Sequence, residues 1–110
     1  MERKISCETC QFHVQLLLKT GELKGYSFTK MIIEQNLDRQ EYEDTLLLLD
    51  ELNAIYEEDK ELGLVDHSGL LLHFAGMLNY KLSVTPALIA LYEERIYPEL
   101  AAKLLQLSRP

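Results

Sequence analysis

A chain of 110 residues, 47% of them apolar and 26% charged, is sized for one domain with its own core, which excludes disorder and any need for disulfide staples. A net charge of −7 weighs against general binding to nucleic-acid phosphates or anionic lipid, since both reward clustered Lys and Arg. No run reaches the roughly 18 apolar residues of a membrane span, and Met1-Glu2-Arg3-Lys4 opens no secretory leader, so a cytoplasmic location is expected.

From Ile5 to Thr20, Ile5, Phe12 and Leu16 fall on one side and Cys7, Cys10, Val14 and Leu17 on the neighbouring one. Steps of three and four predict a helix. Thr20-Gly21 and Gly25 supply a stop and a loop, after which Ser27 is placed as the cap of a short helix through Met31, Ile32 and Ile33 to about Gln35. Leu37-Asp38-Arg39-Gln40-Glu41-Tyr42 is the clearest helix start in the chain. It has an N-cap Asp, a Glu three residues on that can bond back, and an apolar pair flanking the cap. The third helix is predicted from about Arg39 to Leu62, where Gly63 offers the left-handed conformation that ends it. Its middle, Thr45 to Leu49, is apolar nearly all round, which predicts cover on several sides and makes it the central strut.

Asp66 is placed as the cap of a fourth helix, about His67 to Lys81. Its Leu70-Phe74-Met77 and Leu71-Ala75-Leu78 stripes predict burial on a broad front. Gly69, His73, Gly76 and Tyr80 share another stripe. Glycine costs a helix about 1 kcal/mol against Ala, so the pair predicts close approach of another helix. Ser83 or Thr85, with Pro86 in the first turn, opens a fifth helix through Leu88, Ile89 and Leu91. Pro98 stops any continuation and starts a last helix to about Leu107, with Leu100, Leu104 and Leu107 on one face and Leu105 beside them. The fold class is therefore all-α, a single domain over residues 1–110 with about six helices around a long central third.

The order Gln15-Leu16-Leu17-Leu18-Lys19-Thr20, Asp50-Glu51-Leu52, Leu71 through Leu82, Ala90-Leu91-Tyr92-Glu93 and Tyr97-Pro98-Glu99-Leu100 resembles the YhaI-like family of small uncharacterised proteins of Bacillus-type bacteria. Phe74-Ala75-Gly76-Met77-Leu78-Asn79 followed by Lys81-Leu82 is the most particular part of that resemblance. It implies a multihelical, self-associating cytoplasmic domain. It supplies no catalytic residue, cofactor or partner.

Cys7-Glu8-Thr9-Cys10 places two thiols on one side of a helix, and His13 follows three residues on. In a reducing compartment these are thiols or ligands rather than a permanent bridge. A zinc site would need a fourth ligand such as His67 or His73, and a redox motif needs its thiol at a helix N-terminus after a strand. Both cysteines are instead expected as small buried hydrophobes continuing the Val14-Leu17 stripe. His73, within the most apolar helix, is expected to be buried with one hydrogen bond, and His67 to be a solvated first-turn residue. No glycine-rich phosphate loop, calcium loop or Glu-x-x-His pair occurs, so no catalytic residue and no cofactor is assigned. A helix-turn-helix drawn through Ser27 to Leu49 would offer an acidic recognition helix, the wrong sign for a DNA groove.

The charge is concentrated. Residues 41–61 carry nine acids and one base, Lys60, whereas the rest of the chain carries ten bases and nine acids. Acids at the C-terminal end of a helix oppose its dipole, and a partner or a basic side chain elsewhere in the chain would offset them. Glu43, Asp44, Asp50, Glu51, Glu57, Glu58, Asp59 and Glu61 are accordingly the candidate partner-binding residues. The expected function is a non-catalytic module that self-associates as a homo-oligomer and offers this acidic helix to a basic protein. Neither nucleic acid nor membrane is expected as a partner. The alternatives are a metal- or thiol-dependent sensor using Cys7, Cys10 and His13, and a small enzyme with a pocket near His73.

Overall fold

The structure, a computed structural model, describes residues 7–21 and 24–108, Cys7 by its backbone alone. Six helices stand in order among them: α1 (Cys7–Lys19), α2 (Ser27–Glu34), α3 (Arg39–Glu61), α4 (Ser68–Met77), α5 (Val84–Glu94) and α6 (Pro98–Ser108). No strand occurs among the described residues, and the fold is all-α with the long α3 running through it. Ile5, assigned above to the first helix, lies outside the described residues.

Capping sets the bounds of α3. The Asp38 carboxylate accepts the Glu41 N–H at 2.8 Å while the Asp38 N–H donates to Glu41 Oε1 at 2.9 Å, a reciprocal pair that satisfies two donors orphaned by the first turn. At the far end Gly63 takes φ 77°, and Leu64 N–H reaches back to Asp59 O at 2.9 Å. That left-handed turn ends the helix one residue before the predicted limit.

α5 packs against α6 and α2, and α4 lies against α3 and α6. The core between them holds Phe28 and Ile32 of α2, Leu49 and Leu52 of α3, Phe74 of α4, Leu88 and Leu91 of α5, and Leu100 and Leu104 of α6. Thr45 is buried in the same interior. Its hydroxyl donates to Glu41 O at 2.8 Å, which removes the cost of an unpaired polar group. α5 stops at Arg95, φ 64°, three residues before Pro98, and Tyr97 at φ 46° completes the corner into α6.

Several expectations fail on packing. Ser27 is the first residue of α2 rather than its cap, whereas Ser83 stands at the N-cap of α5 as expected, without a side-chain cap bond. α4 is shorter than its pattern, because Leu78 turns extended and the Asn79 Oδ1 accepts the Lys81 N–H at 2.9 Å. Only Leu70 and Phe74 of α4 are buried, while Ala75 and Met77 are exposed. A Cβ on Gly69 or Gly76 would meet nothing within 4 Å, so no helix approaches there, and Tyr80 is 87% exposed. Of the stripe expected to line a pocket, Gly69, Gly76 and Tyr80 are open surface and His73 is half-buried.

Candidate protein-binding surface

The eight acids singled out from the sequence lie on one helix but face three ways. At 100° per residue, Glu43, Leu47, Glu51, Ala54, Glu58 and Glu61 form one stripe along α3, with Asp44, Ile55 and Leu62 beside it. All nine are exposed, Leu47 by 59%. Asp44 also accepts a hydrogen bond from Gln40 Nε2 at 2.8 Å, one helical turn back. Thr45, Leu48 and Leu49 are buried, in keeping with the expected cover on several sides, while Leu47 is left open because the neighbouring helices pack on the opposite side of α3.

Asp50 and Glu57 turn towards the start of α6. Tyr97 OH donates to Asp50 Oδ1 at 2.9 Å, and that bond, with burial second, raises the Tyr97 pKa above its ordinary value. Lys60 Nζ lies 2.7 Å from Glu99 Oε2 and 3.4 Å from Glu57 Oε1, and sits 4.9 Å from the Tyr56 ring centroid. The Glu99 bond raises the Lys60 pKa and lowers that of Glu99. The lone base of the acidic segment is therefore neutralised by α6 rather than set against its neighbours alone.

Asp59 turns inward. His67, expected in solvent, is only 5% exposed, because the loop after α3 folds back and sets its ring edge-on to Tyr56 with centroids 4.9 Å apart. Its Nδ1 is buried without a hydrogen-bond partner, and Asp59 Oδ2 stands 3.8 Å away, beyond bonding distance. Ser68, not His67, engages Asp66, whose Oδ1 accepts both its N–H and its hydroxyl. His73 is half-buried.

The start of α3 carries a second polar cluster that sequence reading missed. Glu41 Oε1 accepts from Lys81 Nζ at 2.8 Å and Glu41 Oε2 from Asn79 Nδ2 at 3.2 Å, while the same ammonium donates to Asn36 O at 3.0 Å. The Lys81 bond, followed by the Asp38 backbone, holds the Glu41 carboxyl down at about 2. This cluster ties the loop after α4 to the α2–α3 connection. Two of its members, Asn79 and Lys81, belong to the segment that carried the family resemblance, so that segment has a structural task.

The sulfur and imidazole candidates are not brought together as a core. Cys10 and His13 are both exposed, which corrects the expected burial of Cys10; the Cys7 side chain is outside the described residues. Among the described residues no three His, Cys, Asp or Glu side chains converge in a way that would hold a metal ion. No described helix is long and apolar enough to cross a membrane.

What the sequence reading passed over was the apolar component of the acidic stripe. Leu47 and Ala54 keep step with Glu43, Glu51 and Glu58, with Leu62 beside them, a signal present in the spacing although Leu47 reads as part of an apolar core segment. The exposed surface of α3 is mixed acidic and apolar, and the cluster around Glu41 ties loops of the chain together. Over residues 1–109 the sequence matches the family model described as Protein of unknown function (DUF1878), and the chain belongs to that family.

Proposed function

We propose that this chain is a YhaI-like, non-catalytic interaction module of the cytoplasm that self-associates and offers the outer stripe of α3 to a basic protein partner. The single observation that carries the reading is the phase of α3. Its exposed side alternates carboxylates (Glu43, Glu51, Glu58) with apolar side chains (Leu47, Ala54), Leu62 standing beside them, while Asp50, Glu57 and Asp59 turn towards groups of the chain itself. A surface of that composition supplies both halves of a protein interface. The apolar side chains provide burial, and the surrounding carboxylates steer a cationic partner and select against acidic ones. The partner's contact surface is expected to be an amphipathic one, with Lys and Arg bordering an apolar strip.

The test is affinity capture from the native cell with wild type beside the triple variant Glu43→Lys, Glu51→Lys, Glu58→Lys. A partner retained by wild type, lost by the variant and released as salt rises towards a Debye length of about 3 Å supports the reading. Recovery of the same proteins by both baits removes the acidic stripe from consideration.

A further inference from the structure

α1 is attached to the rest of the chain by one side only. Val14 and Leu18 are half-buried and, with Ile33, Glu34 and Asn36, line a cleft of about 380 Å³ between α1 and α2. On the opposite side of α1, Phe12 and Leu16 stand 54% and 44% exposed. A 13-residue helix is marginal by itself in water, so an apolar side left uncovered on such a helix is a cost that burial against something else would remove.

Glu8, in the first turn, and Lys19, in the last, share that open side with Phe12 and Leu16. The stripe is self-complementary. Laid antiparallel on a copy of itself, it sets Phe12 across from Leu16 and brings Glu8 near Lys19 at both ends, as a two-fold interface requires.

We infer that a second copy of this chain docks on α1, the two α1 helices packing antiparallel through Phe12 and Leu16 with Glu8 facing the copy's Lys19. The inference rests on the self-association part of the reading above and names its surface. It leaves the outer stripe of α3 open to a different partner.

The full-length chain is followed by sedimentation velocity from low to high micromolar concentration. Wild type is expected to sediment as a dimer. Phe12→Glu with Leu16→Glu weakens it by about tenfold or more, the scale of losing a central apolar anchor. Leu72→Glu with Met77→Glu, on the open side of α4, leaves it unchanged. Glu8→Lys and Lys19→Glu each weaken the dimer, and the two combined in one chain restore it, because antiparallel packing again opposes unlike charges. Circular dichroism confirms that these surface variants keep their helices. A dimer that survives the Phe12/Leu16 change, or that only the α4 pair disrupts, overturns the α1 interface while self-association stands. A double charge swap no better than the singles overturns the antiparallel arrangement. Wild type that stays monomeric throughout removes self-association itself.

Discussion

The carboxylate of Glu94, at the end of α5, closes the first turn of α2: Oε1 accepts the Thr29 N–H at 2.7 Å and Oε2 accepts the Thr29 hydroxyl at 2.8 Å. The residue preceding α2, Tyr26, has no side-chain cap bond, so an acid 65 positions away supplies what a local Ser or Asp usually does. A negative charge at that end also complements the helix dipole. Glu94→Ala is expected to cost about 1–2 kcal/mol, the range of a lost cap. Urea unfolding measures it. A change within error would mean that solvent serves the α2 terminus equally well.

The Glu41 cluster makes stability depend on acid. Glu41 is held near 2 when folded against an ordinary 4.5, so the stabilisation is complete above about pH 4.5 and disappears as pH falls through that window towards 2. Lys81 has its pKa raised by the same contact, so its share is present at neutral pH and is lost only in strong alkali. Glu41→Gln is therefore expected to lower stability at neutral pH and to flatten the acid limb of its pH profile. Thermal unfolding from pH 2 to 7 checks this, and an unchanged slope in the variant would contradict it.

His67 carries a buried nitrogen without a partner against the Tyr56 ring. Leaving such a group unsatisfied costs about 1–3 kcal/mol, whereas an apolar ring of similar shape carries no such penalty. His67→Phe is expected to leave stability unchanged or raise it by about 1 kcal/mol. A clear loss would show that the imidazole has a bonding role in the folded chain.

Burial separates leucines that look alike in the sequence. Leu88 is fully enclosed and Leu72 is 74% exposed. Leu88→Ala is expected to destabilise by about 2–5 kcal/mol, and Leu72→Ala by no more than about 0.5 kcal/mol. Parallel denaturant melts of the two variants decide it. Equal losses would place α4 in a different packing.

Helix existence was legible because it depends on local chemistry. Asp38 and Glu41 satisfy each other's backbone neighbours three residues apart, and Gly63 adopts a conformation that disfavours side chains, so both ends of α3 could be read from a few adjacent residues. The same holds for Pro98 as the first residue of α6. The acidic segment is legible as composition, whereas the surroundings that sort its acids are not.

Which side of each helix is covered was decided by the tertiary structure. Apolar spacing reports that a face repels water, but it carries no record of which neighbour arrives. Cys10, Leu16, Leu47 and Met77 fit core patterns and stand exposed, while His67 fits a solvated turn and is enclosed. The pairings that sort the acids of α3, Tyr97 with Asp50 and Lys60 with Glu99, join residues 47 and 39 positions apart, as Glu94 with Thr29 joins residues 65 apart. Hydrogen bonds act over about 3 Å, so they form only once the packing of the helices has brought such distant residues together. The sequence by itself determined the run of helices, both ends of α3 and the single acidic helix; the burial of α5 among its neighbours, the open stripe of α3 and the uncovered side of α1 were set by three-dimensional packing, because burial is a property of pairs of surfaces and not of one strand of residues.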